Sequence, residues 1–528
     1  MTSIRTFLKI SFCSAVLTAS ACNALIDVQP RFNIPTAEAL ATATDLEAAV
    51  NGAYSAIQAA GGLGVAMRLV PEIISDNIQL NEAATRNGQQ LYYGAFQRNL
   101  FGAADNIWRD GYTAIERANN VISAIDKGYV KLIDNNYLQN RSRLRGEALF
   151  IRGIMHFELV RLYGHQFGHN SDAEQSGVII RTTPTADRVG LPRSTVTQVY
   201  AQVVKDLTEA VASLPVGYDG AIHPTSYGGR VGGRATKDAA RAYLAKVYFQ
   251  MGTPTANALA ANLIDSVMGD APGLPIKYWN PAQDYIRSRD DNFFYKSGNN
   301  AAAQTIFQIV NTYNPATNEL SSTAGGFLNA YLSASLDPTE PDNAPFPVYL
   351  ASTDFTKSLS AWGVKRSLLY LRKSPGTNYY VFKFLRRAGQ PATINIPIIR
   401  GADLLLMRAE INAYNNNLDG AKADVNAVRA AAELLPIDNM DQTALIKEIA
   451  KERRIELGFE GDRFFDFKRR NMLDRNTFGP GIIEPEEIGP GGSGSGRIYT
   501  RLRWDSPLTL LQIPDAEVFS NAQVRRNP

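Results

Sequence analysis

Five carboxylates crowd one short run of this chain. Between Lys451 and Arg470 the sequence reads KERRIELGFEGDRFFDFKRR, which sets Glu452, Glu456, Glu460, Asp462 and Asp466 among arginines and lysines. A pair of carboxylates held at a fixed separation does general acid and base work, whereas carboxylates alternating with cations along a helix make supporting ion pairs. QTALIKEIAKERRIEL has the three- and four-residue Glu to Lys/Arg spacing of an amphipathic helix with surface pairs, and Gly458 and Gly461 then break that helix. Carboxylates on both sides of two glycines form no rigid catalytic set, so the segment reads as scaffolding.

Other reactive constellations are sparse. His165 and His169 in YGHQFGHN are four apart, but Gly164 and Gly168 interrupt the helix that would bring both rings to one face. No acidic or cysteine residue stands at a metal-binding offset from them, so no metal site is expected. No serine sits in a G-x-S-x-G elbow. GGRVGGRATK lacks the Gly-Lys-Ser/Thr ending of a phosphate loop and reads as a turn before a helix that starts near Thr236. The expectation is no catalytic residue and no cofactor.

The elements that carry these residues are mainly helical. DNIWRDGYTAIERANNVISAID and RLRGEALFIRGIMHFELVRLYG each lay one apolar stripe: Ile107, Tyr112, Ile115, Ala118, Ile122 and Ile125 in the first, Leu144, Ala148, Ile151, Met155, Leu159 and Leu162 in the second. The two predict a helical hairpin. RATKDAARAYLAKVYFQMG with TANALAANLIDSVMG, and GADLLLMRAEINAYNNN with LDGAKADVNAVRAAAELL, predict two more pairs. Alanine-rich pairs of about 34 residues resemble divergent tetratricopeptide (TPR) units, here irregularly spaced. Residues 270–400 differ: they are rich in Pro, Gly, Asn, Tyr and Phe and carry short strand-like pieces such as QTIFQIVN and YYVFKFLRR. The fold class is therefore mainly α, a TPR-like helix-pair scaffold with a long loop-rich insertion carrying short strands.

Composition narrows the function classes. The 528 residues are 45% hydrophobic and 20% charged, with 54 basic and 51 acidic side chains. Arg5 and Lys9, the apolar stretch ISFCSAVLTA and the small residues of LTASAC form an export signal ending at Cys22. Cys13 leaves with the signal, so Cys22 has no disulfide partner and is expected to be the lipidated first residue. Without Arg5 and Lys9 the net charge is +1, which argues against nucleic acid as a partner.

Aromatic residues carry the binding signal. Flat rings that meet the C–H faces of sugars, with amides and charges nearby for the hydroxyls, make glycan sites. NGQQLYYGAFQRNLFGAADNIW offers Tyr92 and Tyr93 beside Arg98 and Asn99, and KYWNPAQDYIRSRDDNFFY offers Tyr278, Trp279 and Tyr285 beside Asn280. The competing reading is that these rings plug a core beneath loops.

Seven segments in order resemble the SusD/RagB family of surface lipoproteins: CNALIDVQP, AIERANNVI, RGEALFIRGIMHFELVRLYG, GRATKDAARAYLAKVYFQMG, LLLMRAEINAYNNN, KERRIELGFEGDRFFDFKR and LLQIPDAEVFSNAQVRRNP. The resemblance covers nearly the whole exported chain. It implies a lipid-anchored outer-membrane protein facing outward, which captures oligosaccharides or peptides and passes them to a SusC-like TonB-dependent barrel without enzymatic activity. It also implies that the 451–470 run is a fold signature. NALI after Cys22 lacks the acidic cluster that often follows the lipidated cysteine in surface-exported members. The expected organisation is a signal at 1–21, an anchor and tether at 22–40, a helical scaffold at 41–269, a recognition region at 270–400 and C-terminal helix pairs at 401–528. Peptide uptake and a lipid-anchored assembly scaffold without a small ligand stand as alternatives.

Overall fold

The computed structural model describes residues 36–80, 103–185, 190–219, 223, 233–273, 277–279, 304–311, 313–314, 319–320, 349–357, 363–367, 370–372, 379–381, 383–384, 395–479, 481–488, 494–498 and 500–528. The first half is helical: α1 (Thr36–Ala39), α2 (Ala43–Ile57), α3 (Ala66–Ile73), then strand β1 (Ile78–Leu80), α4 (Ala103–Asp126), α5 (Asn135–Tyr163), α6 (Val196–Ser213), α7 (Lys237–Met251) and α8 (Pro254–Met268). Short strands and helical turns follow: β2 (Thr305–Ile309), β3 (Tyr313–Asn314), β4 (Glu319–Leu320), β5 (Tyr349–Ala351), α9 (Thr353–Thr356), α10 (Val364–Ser367), β6 (Tyr370–Arg372), β7 (Tyr379–Val381) and β8 (Ile396–Arg400). The C-terminal part holds α11 (Gly401–Tyr414), α12 (Leu418–Ala431), α13 (Gln442–Glu456), α14 (Arg463–Leu473), α15 (Arg475–Phe478), β9 (Ile482–Ile483), β10 (Glu486–Ile488), β11 (Gly494–Ile498), β12 (Leu502–Arg503) and α16 (Asp515–Ser520). No described helix is long and apolar enough to cross a membrane.

Local chemistry starts these helices, at Thr236 where the sequence predicts a start. Thr42 and Asp45 cap α2 reciprocally, as Thr195 and Gln198 cap α6, while Thr236, Thr253 and Asp441 cap α7, α8 and α13. Each cap satisfies an amide that helix geometry leaves unpaired and contributes about 1 kcal/mol. The three predicted helix pairs are α4–α5, α7–α8 and α11–α12. Glycine lets α4, α5 and α6 approach closely: a Cβ on Gly111 would stand 3.1 Å from Leu159 methyl carbons, and one on Gly153 3.1 Å from Leu207 Cγ.

The single stripe read for α5 understates its burial. From Gly146 to Tyr163 every residue is buried, including Glu147, Arg152, Glu158 and Arg161. The helix runs inside the molecule, packed by α2, α4 and α6, and its charges survive there because each is paired. Arg152 holds Asp206 through two bonds of 2.6 and 2.8 Å, and Arg234 reaches Glu147 at 2.7 Å.

Strands from three distant stretches make one six-stranded sheet, ordered β11-β10-β1-β5-β7-β6. β1 pairs parallel to β10 through Gln79 and Glu486, and antiparallel to β5 with Gln79 opposite Leu350. β2 pairs with β8, which runs straight into α11.

The 451–470 run sits at the centre of this architecture, and here the expectation of surface ion pairs fails. Glu452, Arg453, Glu456, Glu460, Asp462 and Asp466 are all buried. Arg400, at the end of β8, bonds Glu456 at 2.8 Å and Glu460 at 2.7 and 3.0 Å. Lys383 takes Glu460 at 2.6 Å, and Arg366 takes Glu456 at 2.9 Å and also Glu452. Arg453 bridges Asp403 and Asp466 at 2.9 and 3.0 Å, Lys246 of α7 meets Asp462 at 2.7 Å, and Arg469 and Arg470 both grip Glu410 at 2.7 Å. Helix spacing could not reveal this, because most of the partners stand from 50 to 216 residues away in the chain. Gly461 is needed here: its φ is +87°, and a Cβ would lie 2.7 Å from the Arg68 carbonyl. Its amide donates to Glu72 Oε1 at 2.8 Å, tying the run to α3.

Burial by itself would raise the Glu460 carboxyl, but Arg400 and Lys383 outweigh it and hold it at about 2; burial is likewise outweighed at Asp462, held at about 2 chiefly by Lys246, Arg68 and Arg161. Both folded values lie below the unfolded ones, so their stabilisation is present above the ordinary carboxylate range and is lost as pH falls towards 2. Denaturant unfolding followed from neutral pH downwards should therefore show stability declining steeply below about pH 4.5. Arg400→Met leaves Glu456 and Glu460 short of a buried cation and should lower unfolding free energy at neutral pH by about 3–5 kcal/mol.

Lys468 carries the opposite sign. Its Nζ is buried with no hydrogen-bond acceptor among the described residues, 5.4 Å from the centre of the Phe464 ring, and burial pushes its ammonium down to about 7. Because the folded value lies below the unfolded one, the cost is complete below about pH 7 and is relieved as pH rises towards the ordinary lysine range. Lys468→Met should raise the thermal midpoint at pH 6, and the gain should shrink in alkaline buffer.

Candidate functional site

A cleft of about 740 Å³ opens between the first half of α4, the extended segment 178–185 that follows α5, and the C-terminal helix α16. Its aromatic wall comes from Trp108 and Tyr112, one helical turn apart on α4 and therefore on one face. Their ring centroids are 4.8 Å apart at 52°, and the Trp108 ring meets Tyr163 edge-on at 5.0 Å. The polar ends of both rings are committed. The Trp108 indole N–H donates to Glu517 Oε2 at 3.2 Å, and the Tyr112 hydroxyl donates to the Ile179 carbonyl at 2.8 Å. Burial, then nearby Glu517, pushes the Tyr112 hydroxyl well above the usual phenol range, so it stays a neutral donor.

The opposite wall is stitched to α4 by side chains of that helix. Glu116 accepts the Thr185 amide at 3.0 Å and its hydroxyl at 3.0 Å, and Asn119 Nδ2 donates to the carbonyls of Arg181 and Thr183 at 3.2 and 3.3 Å. The Arg181 amide donates to His156 Nε2 at 3.3 Å, and burial drives that imidazole down to about 4, which keeps it neutral and able to accept. Arg109, Arg117 and Arg181 with Asp105, Glu116 and Glu517 supply charges around the cleft, and Thr113, Thr185 and Ser520 supply hydroxyls. An apolar ring surface bordered by charged donors and hydroxyl groups suits a polyhydroxylated ligand. Glu116 and Glu517 both accept bonds from protein donors, which suits positioning rather than proton transfer.

Of the candidate binding residues singled out from sequence, the described ones, Tyr278 and Trp279, fall elsewhere. Cys22, Tyr92, Tyr93, Arg98, Asn99, Asn280 and Tyr285 lie outside the described residues. Tyr278 and Trp279 pack half-buried against the hydrophobic core and do not line the cleft. The Tyr278 hydroxyl donates to Asp238 Oδ2 at 3.2 Å, at the start of α7. The glycines around His165 and His169 do end α5, yet they do not separate the rings, whose centroids stand 5.6 Å apart with His169 packed on Trp504 at 5.0 Å. Among the described residues no group of three or more His, Cys, Asp and Glu is placed to hold a metal ion. The sequence reading missed Trp108 and set Tyr112 on a core stripe, although their i, i+4 spacing could have paired them; Glu517 carried no such signal, because it comes 409 residues after Trp108.

Comparison with known proteins gives the fold its family. Residues 27–249 match a family model described as starch-binding, associating with the outer membrane, and residues 348–528 match the model of the SusD family. This chain belongs to the SusD/RagB family. It is 24% identical to SusD-like protein P2 of Formosa agariphila over 98% of both chains. Among solved structures it is similar to a SusD superfamily protein from Bacteroides thetaiotaomicron, with 22% identity, a TM-score of 0.70 and coverage of 92% of this chain and 100% of that one. It is also similar to surface glycan-binding protein A from Bacteroides uniformis, with 19% identity, a TM-score of 0.67 and coverage of 92% and 99%.

The Glu517 carboxylate should hold α16 over the cleft. Glu517→Ala should red-shift emission from buried Trp108 and cost about 1–3 kcal/mol, the penalty of stranding a buried donor.

Proposed function

We propose that this protein is an outer-membrane lipoprotein, anchored through Cys22 and facing outward, that binds oligosaccharides or polysaccharides in the Trp108–Tyr112 cleft and delivers them to a SusC-like TonB-dependent barrel. The observation that carries the binding reading is the cleft itself, with an aromatic wall beside arginine, carboxylate and hydroxyl groups. The names of relatives, glycan-binding in one case, support the ligand class. Family membership and the export signal ending at Cys22 support delivery to a barrel and the outward-facing anchor. The protein is a binding protein and not an enzyme: it needs only to hold and release its ligand.

Titration of the mature chain lacking Cys22 with a panel of neutral polysaccharides and peptide mixtures tests this reading. One glycan class should bind, and Arg109→Ala combined with Arg181→Ala should weaken it by about tenfold, or about 1.4 kcal/mol. Loss of binding in Trp279→Ala with no effect of the arginine substitutions would move the site to the 270–400 region. Binding to peptides alone would replace the glycan reading by peptide uptake. In cells, Cys22→Ala should release the protein from membranes, and retention would sink the anchor.

A further inference from the structure

The end of the chain is fastened on both sides of α16 and loosely held between. Before the helix, the Leu511 amide donates to the Leu162 carbonyl at 3.0 Å and Ile513 is buried. After it, Asn521 Nδ2 donates to the Leu191 carbonyl at 2.9 Å, Val524 is buried, and Asn527 Nδ2 donates to the Tyr163 and Leu511 carbonyls at 2.8 and 2.6 Å. Between these anchors α16 has no buried residue: Val518 packs only half-buried against the core, and Phe519 is 80% exposed. A helix of one or two turns draws its stability from packing, and here little apolar area supplies it.

Polar ties are few as well. Among the described residues, the side chains of α16 bond to other elements through the Trp108 indole N–H to Glu517 Oε2 at 3.2 Å and through the Arg526–Asp515 pair at 2.6 Å. The second is exposed on both partners and contributes little. The other Glu517 oxygen accepts from Asn521 Nδ2 at 3.0 Å, inside the same segment. One bond to a neutral donor is therefore the main polar hold on the helix that covers the cleft.

Two opposite charges are left unmatched across that cleft. Glu517 meets neutral donors on both oxygens and, among the described residues, no cation. Arg181 lines the opposite wall; its backbone amide serves His156, while its guanidinium has no hydrogen-bond or ion-pair partner among the described residues. The other arginines of the cleft are engaged, Arg109 with Asp110 at 3.0 Å and Arg117 with the Gly52 carbonyl at 2.6 Å. Both unmatched charges act on the same hydroxyl: burial raises Tyr112 most, Glu517 raises it further, and Arg181 works against both. A bond between a carboxylate and a guanidinium is roughly twice as strong as one between neutral groups. Water in an empty cleft screens that attraction, and a ligand that displaces the water strengthens it.

We propose that α16 is a strap with two resting positions: in the one seen here Glu517 holds the Trp108 indole, and in the other it swings across the cleft to pair with Arg181 and close over a bound ligand. Retention of a glycan by this closure rests on the binding reading above. The two positions themselves do not depend on what the ligand is.

Hydrogen exchange on the ligand-free mature chain lacking Cys22, followed by mass spectrometry of peptides from 505–528, tests the strap. Amides of 515–521 should exchange about tenfold or more faster than those of the anchors at 511–513 and 524–527. Glu517→Arg removes the acceptor for Trp108 and sets like charges across the cleft, so it should speed exchange of 515–521 by a further factor of about ten. Adding Arg181→Glu restores an ion pair with its signs reversed and should bring the rate back to within about threefold of the parent chain, whereas Arg181→Glu alone should change it by less than about twofold. In the double variant Trp108 emission should stay red-shifted, because the strap is held in its second position and the indole N–H is without its acceptor. Protection of α16 equal to that of its anchors overturns the proposal, as does failure of Arg181→Glu to restore protection in the Glu517→Arg background. Glycan binding by a chain that lacks this rescue overturns the strap alone. The rescue in a chain that binds no glycan of the panel upholds the strap and overturns the glycan reading alone.

Discussion

The structure depends on one dense buried ion network centred on residues 452–470. Arg366, Lys383, Arg400, Asp403, Glu410 and Lys246 reach this run from segments spread between residues 246 and 410, and each finds a partner of opposite charge there. Burying so many charges is expensive, and replacing a buried ion pair with well-packed apolar groups is often neutral or stabilising. What the network supplies is specificity: a guanidinium that finds two carboxylates at 2.7–3.0 Å fits one arrangement of β8, α11, α13 and α14 and rejects others. Gly461 adds a steric condition, because only a residue without Cβ lets the run pass Arg68.

That hub leaves function to the periphery. α5, enclosed by apolar neighbours and by paired charges such as Arg152 with Asp206, is a fixed axis on which α4 lies. The Trp108–Tyr112 wall inherits its position from that packing, and the C-terminal helix α16 closes the other side through Glu517.

The helices were legible in the chain because their rules are local. Apolar residues at three- and four-residue steps, Thr or Asp at the start of a run and alanine or glycine at points of close approach placed α4, α5, α7, α8, α11 and α12, and the same motifs in order identified the family. The nature of the 451–470 run as scaffold was also legible, from two glycines that interrupt it. Its character was not: Glu452 and Glu456 sit at surface-pair spacing yet are buried, because their partners are Arg366 and Arg400.

What only the tertiary structure decided is which distant residues share a space. Trp108 meets Glu517, Gln79 lies between Leu350 and Glu486, and His169 rests on Trp504 despite the glycines beside it. Periodicity and capping act over a few residues and so can be read along the chain. Ion pairing, cavity shape and polar satisfaction are properties of surfaces brought together from hundreds of residues apart, and they exist only once the chain has closed on itself.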